Sequence, residues 1–273
     1  MPPFLHPLDD ATVWLSALDA RVGVATVRAV CGDRAPVVLE IGVYRAGWSR
    51  AVLANVATAR VTGIDPYPWD GGPSTRSAAL AHLAAAGVAE RFTLHASWDE
   101  LERATPDARF DVIHVDGAHD EASVVADLDR AAVALAPGGA LIVDDVRHLE
   151  HPGIAGALHR FLVTADFRIV ATTPQKAVVA RASDTPTLRA ALPPLLDELG
   201  VGWRDRPFQA DVPFPMDDAP ATVLGEPLLL VNGPLRTDPP AAPTRTAPRR
   251  RRLVHDLTPP VITRAIRRRR RRS

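Results

Sequence analysis

The 273-residue chain is 47% hydrophobic and carries 32 basic and 32 acidic residues, enough apolar material for a proper core. A single cysteine, Cys31, excludes an internal disulfide framework, and no apolar run approaches the roughly 20 residues that a membrane-spanning helix needs. The neutral total hides an asymmetry: 13 basic residues fall between Arg236 and Arg272, where the only acids are Asp238 and Asp256, leaving 19 basic against 30 acidic residues elsewhere. An acidic body carries a basic tail. The segment MPPFLHPLDD has neither the basic flank nor the continuous apolar stretch of a signal peptide, so a reducing cytoplasm is the expected compartment.

From Asp9 to about Ala29, the residues Val13, Trp14, Leu18, Val22 and Val27 recur at roughly helical spacing behind the capping candidates Asp9 and Asp10. This predicts a helical lead-in over residues 1–34. Strand-like runs then alternate with Ala-rich helical stretches through residues 35–183: PVVLEIG, ARVTGID, RFTLHAS, FDVIHVDG and ALIVDD. Such alternation means crossover connections and an α/β fold with a mostly parallel, doubly wound sheet. The continuous apolar character of VVLEI, DVIHV and ALIV fits strands covered on both faces. The segment Ala136-Pro137-Gly138-Gly139 reads as a turn. After a helix near Ile154 to Thr164, FRIVATT and KAVVARA are joined by Pro174 and Gln175, which predicts a closing antiparallel hairpin and a sheet that ends near Ala182.

Residues 184–233 hold a helix-like stretch from Thr187 to Leu199 and a Pro-rich region with Trp203, Phe208 and Phe214. They are expected to form a packed extension or a substrate lid. From Pro234 to Pro248 the composition is that of a linker. Beyond it Thr258 is a cap for a short helix in which Val261, Ile262, Ala265 and Ile266 share one face ahead of an Arg run. The tail, residues 234–273, is expected to be flexible, with 258–273 suited to an anionic membrane surface and less to nucleic acid.

The first strand ends in Glu40, Ile41 and Gly42, and Gly47 precedes Trp48 and Ser49 at the start of a helix. Glycines at such a turn let the backbone approach a ligand, and a helix N-terminus offers free N–H groups, so a nucleotide-like ligand is implied. Tyr44 stands where the GxGxxG fingerprint needs its second glycine, which counts against an NAD site. Asp65 ends the second strand about 20 residues after the turn, where doubly wound folds hold a ribose hydroxyl pair. Asp116 ends the fourth strand, and Asp144 and Asp145 end the fifth. If those strands are neighbours, three carboxylates converge at the ligand-binding edge, and a hard divalent cation such as Mg²⁺ would relieve their repulsion.

The runs EIGVYRAGWS, GIDP, VDGAHDEASVVADL and LAPGGALIVDD closely resemble class I S-adenosylmethionine (SAM)-dependent methyltransferases of the group that includes macrolide-sugar O-methyltransferases and cephalosporin-hydroxylase-like proteins. The resemblance covers roughly residues 35 to 182. It implies a Rossmann-like, seven-stranded sheet, with SAM held by Glu40, Gly42, Tyr44, Gly47 and Ser49 around the first turn. It places Asp65 on the ribose, Ser97 and Trp98 by the adenine, and Asp116 as a further cofactor contact. By similarity to metal-dependent sugar O-methyltransferases, Asp116, Asp144 and Asp145 would be metal ligands and His119 the catalytic base beside Asp116. Independent chemistry agrees, since methyl transfer to a hydroxyl needs that oxygen near its anionic form, and an imidazole titrates close to neutrality. His114, His148 and His151 are weaker candidates. Ala46 stands where many relatives have another glycine, so the turn is expected to differ in geometry; Pro66-Tyr67-Pro68-Trp69 is expected to line the acceptor pocket. The resulting expectation is O-methylation of a sugar, a glycosylated small molecule or a glycoconjugate. An NAD-linked oxidoreductase or epimerase, a non-catalytic SAM- or nucleotide-binding module and an RNA-directed methyltransferase stand as alternatives.

Overall fold

In the computed structural model the described residues are 15–68, 71–205 and 220–234. Helix α1 (Ala17–Cys31) starts at Ser16, whose hydroxyl accepts the Asp19 N–H at 3.0 Å. The expected caps Asp9 and Asp10, with Val13 and Trp14, lie outside the described residues. There follow β1 (Val37–Ile41), α2 (Gly47–Asn55), β2 (Arg60–Ile64), α3 (Gly72–Ala85), β3 (Phe92–His95), α4 (Trp98–Ala104), β4 (Phe110–Val115), α5 (Glu121–Ala134) and β5 (Leu135–Val143). The expected turn at residues 136–139 is instead built into the irregular start of β5, with Gly138 at φ 74° and a register shift against β4.

The chain continues through α6 (Pro152–Thr164), β6 (Phe167–Thr172), β7 (Ala177–Arg181), α7 (Thr185–Glu198) and β8 (Val201–Arg204). Two short strands, β9 (Thr222–Val223) and β10 (Glu226–Pro227), pair with each other, and β11 (Leu229–Pro234) follows. The main sheet runs β3-β2-β1-β4-β5-β7-β6-β11-β8. Its β3-β2-β1-β4-β5 part is parallel throughout, and β7 lies antiparallel to both β5 and β6, the closing hairpin that the sequence predicts. The seven expected strands therefore stand side by side, but the sheet does not end near Ala182. β11 pairs with β6 through Leu229↔Ala171, and β8 pairs with β11, so residues beyond 184 add two strands to the edge. The reason is a long-range pairing of the apolar run Leu228–Val231, which only the folded chain brings to β6.

Alternate strand residues feed two separate cores. Val38, Val112 and Ile142 pack with α1, α2 and α7 on one face, while Leu39, Ile113 and Leu141 pack with α4, α5 and α6 on the other. This two-sided burial explains the unbroken apolar runs and brings the carboxyl ends of β2, β1, β4 and β5 next to one another. No helix among the described residues is long and apolar enough to cross a membrane. The expected linker and amphipathic tail, residues 235–273, and the aromatic residues Trp69, Phe208 and Phe214 lie outside the described residues.

Leu141 and Ile142 are both fully buried, one on each face. Truncating either to Ala is expected to cost about 2–5 kcal/mol in denaturant unfolding. A large loss from one and a negligible loss from the other would show that only one face of the sheet is covered.

Candidate active site

The turn between β1 and α2 is shaped by close approach. Gly42 has φ 82°, and a Cβ there would lie 1.8 Å from the Asp116 carbonyl oxygen, so the turn after β1 rests directly on the backbone after β4. Tyr44 (φ 48°) and Ala46 (φ 57°) also occupy the left-handed region, which side chains other than glycine adopt only under strain. Ala46 stands at the N-cap of α2 in the backbone conformation that glycine adopts most easily.

Asp65, at the end of β2, holds that strained turn in place. Its Oδ2 accepts the N–H groups of Val43 (3.0 Å) and Tyr44 (2.9 Å), and its Oδ1 accepts that of Tyr67 (2.8 Å). Burial pushes the Asp65 carboxyl up, while the same backbone donors pull it down. The Tyr67 hydroxyl donates to the Tyr44 carbonyl at 2.9 Å, closing the link from the other side. Glu40 is 2% exposed and accepts from the Ser49 hydroxyl. Glu40, Gly42, Tyr44, Gly47, Ser49 and Asp65 are thus brought together as one turn. The structure shows what the sequence reading omitted: both acids shape this turn before any ligand arrives.

Ser97 caps α4 by accepting the Glu100 N–H at 3.2 Å, and the Trp98 indole donates to Asp127 of α5 at 3.0 Å. Asp127 was not anticipated. Its Oδ2 lies 2.9 Å from where a Cβ on Gly117 would be, so Trp98 and Asp127 adjoin the same post-β4 segment as Asp116.

Asp116, Asp144 and Asp145 meet as expected of neighbouring strands, with Val115 beside Val143. The structure nevertheless divides the pair. Among the described residues two groups could hold a metal ion, each with its ligand atoms within 4.8 Å of one another: His114–Asp116–Asp144 and Asp116–His119–Asp145. Asp145 has φ 54°, and its N–H is accepted by Asp144 Oδ1 at 2.8 Å. This backbone twist turns the two carboxylates to different partners. Asp145 Oδ2 lies 3.5 Å and Asp116 Oδ1 3.6 Å from His119 Nε2. Asp144 points to His114 and to the buried ammonium of Lys176, which the sequence reading missed.

The electrostatics follow from that division. Burial and the Asp144 carboxylate push the Asp116 carboxyl up to about 6. Its contact with Asp116 raises His119, although partial burial opposes this. Burial also works against ionised Asp144, yet the Lys176 ammonium prevails and holds it well below the usual carboxylate range. Three weaker histidine candidates are also placed. His114 is 1% exposed and stacks on Trp48 at 4.4 Å. The His151 ring meets that of His119 edge-on at 4.7 Å, and His148 lies 4.8 Å from His151.

Residues 39–146 match the family model described as a methyltransferase domain. No curated protein matches the chain significantly. Among solved structures, a candidate O-methyltransferase from Klebsiella pneumoniae aligns at 20% identity over 64% of this chain and 82% of its own, with a TM-score of 0.50. The O-methyltransferase TomG from Streptomyces achromogenes, involved in tomaymycin synthesis and solved with SAM, aligns at 20% identity over 63% of this chain and 83% of its own, with a TM-score of 0.49. CalS11, a TDP-rhamnose 3'-O-methyltransferase of calicheamicin biosynthesis, aligns at 19% identity over 60% and 78%, with a TM-score of 0.46. Likeness at these identities is one of fold. Strand order and closing hairpin are those of a Rossmann-like α/β fold, and residues 39–146 within it are similar to a methyltransferase domain. The segment that matches, residues 39–146, holds the turn at Glu40–Ser49 and the ends of β2, β4 and β5.

Replacing Asp65 with Ala leaves three backbone N–H groups without their acceptor, at a cost of about 1–3 kcal/mol for a buried unsatisfied donor. SAM affinity is expected to fall at least tenfold in calorimetric titration, with a lowered melting temperature. Unchanged affinity would show that the turn keeps its shape without the carboxylate.

Proposed function

We propose that this enzyme transfers the methyl group of SAM to a hydroxyl oxygen of a sugar, a glycosylated small molecule or a glycoconjugate, with a divalent cation at Asp116 and Asp145 and with His119 as the base. The observation that carries this reading is the position of His119 Nε2, between two carboxylates at the edge of the sheet where the cofactor turn also lies. The donor set suits a hard divalent ion such as Mg²⁺. Two carboxylate oxygens from neighbouring strands converge, and a carboxyl pushed up to about 6 marks a place short of positive charge. Such an ion, when bound, would lower the pKa of the acceptor hydroxyl and orient it.

The turn from Glu40 to Ser49 and the free N–H groups at the start of α2 hold SAM, with a remaining lone pair of Asp65 toward the ribose and Ser97 and Trp98 toward the adenine. Asp116 and Asp145 face His119 Nε2 and orient the ring with its proton on that nitrogen, so that Nδ1 accepts the hydroxyl proton. SAM, when bound there, would supply a sulfonium methyl group for transfer to the acceptor oxygen, the C–S bond breaking as the C–O bond forms and S-adenosylhomocysteine being the leaving group. The nearby sugar O-methyltransferase CalS11 is consistent with a glycosidic acceptor.

Calorimetric titration with SAM and then NAD, each with Mg²⁺ and with EDTA, tests the cofactor. Saturable SAM binding without an NAD response is expected, and no SAM binding under any condition would overturn the reading. With an acceptor from a glycoside screen, His119→Ala is expected to lower turnover by about a hundredfold or more while SAM affinity stays within about twofold. Retention of turnover would remove His119 from its role.

A further inference from the structure

Lys176 is the chain's single lysine, set against 31 arginines. It lies just before β7 and is 2% exposed, although a lysine this deeply buried is rare unless it is paired. Its Nζ contacts the Asp144 carboxylate and lies 3.2 Å from His114 Nε2. Those two atoms are two of the three that make up the inner candidate metal group, His114–Asp116–Asp144. The ammonium therefore sits on the donors that a cation would use.

The surroundings hold it there. The Lys176 N–H is accepted by the Thr173 hydroxyl at 2.8 Å, and the Thr173 hydroxyl donates to the buried Asp19 of α1 at 3.0 Å. His114 is fixed from the far side by Trp48 and by Glu40, whose Oε1 lies 3.5 Å from His114 Nδ1. A guanidinium is a wide planar fork, whereas an ammonium is a compact point charge. In a chain whose other basic side chains besides histidine are all arginines, the one cation buried against Asp144 and His114 is a compact ammonium.

We propose that Lys176 is the built-in cation of Asp144 and His114: it closes the inner group to metal and leaves Asp116 and Asp145, beside His119, as the place where a divalent ion binds. The second half of this proposal rests on the metal reading above; the first does not. Lys176 is thus a positioning residue that decides which of two adjacent acidic groups takes the ion. Removing its charge leaves a buried carboxylate without compensation, a strongly unfavourable state that a metal ion would relieve.

The test is Mn²⁺ titration of the full-length protein, followed by calorimetry and by the metal-dependent shift in melting temperature. Wild type is expected to bind one equivalent, Asp145→Asn to lose it, and Asp144→Asn to keep it within about threefold in affinity. Lys176→Met, or Lys176→Gln should the methionine variant not fold, is expected to gain an inner site that Lys176→Met/Asp144→Asn lacks. A more than tenfold loss of Mn²⁺ affinity in Asp144→Asn would overturn the proposal, as would wild-type stoichiometry in the folded Lys176 variants. Should wild type bind no Mn²⁺, the metal reading of the outer group fails. A new site that appears in Lys176→Met and disappears with Asp144→Asn would then still establish the role of Lys176, and its absence would refute it.

Discussion

The close approach of Gly42 to the carbonyl of Asp116 joins the two halves of the site. β1 and β4 are adjacent parallel strands, and the turn that leaves β1 lies against the backbone that leaves β4, with no room for a side chain between them. Everything else at the sheet edge is arranged around that contact. The turn must strain through Tyr44 and Ala46 to reach α2, Asp65 stabilises the strained amides, and Asp116 is held where it can face both β5 carboxylates. Strain of this kind costs on the order of 1–3 kcal/mol per residue and persists only where its surroundings over-determine it. Here three hydrogen bonds to one carboxylate and the Tyr67 hydroxyl do so.

A second organising feature is the buried row of ionisable groups beneath that edge. Ser49, Glu40, His114, Lys176 and Asp144 succeed one another from the start of α2 and the end of β1, through β4, to the β6–β7 turn and the segment after β5. The carboxylates Glu40 and Asp144 flank the two basic groups, so that each buried charge has a hydrogen-bonding or oppositely charged neighbour. Asp144 is drawn down into this row, while Asp145, one residue on, is turned outward by its left-handed backbone. The outward group is the more open of the two.

Much of the fold was legible because two-sided burial leaves continuous apolar strands between Ala-rich helices, and the seven expected strands stand where that pattern implies. The extra edge strands were not read. The run Leu228–Val231 was an available signal, but its partner β6 lies far away in sequence, and no local pattern names a partner. At the site, Glu40, Gly42, Asp65, Asp116, Asp144, Asp145 and His119 were visible as residues that end strands or follow them. Asp127 was not, and Tyr67 was expected only as a pocket-lining residue and not as a support of the β1–α2 turn, since both roles come from contacts across elements. Lys176 did carry a signal, its being the only lysine in the chain, though nothing local to β7 connects it with the end of β5.

The sequence by itself determined the strand and helix periods, the glycine where the backbone must pass close, and the carboxylates at the strand ends, because each depends on a residue and its immediate neighbours. Tertiary structure alone decided that Asp144 and Asp145 serve different partners, that Asp65 first supports the turn, and that the edge of the sheet is completed by residues beyond 200. Those outcomes depend on which atoms lie within a few ångströms after strands far apart in the chain have been laid side by side, and Coulomb attraction and hydrogen bonding act over that distance and not along the sequence.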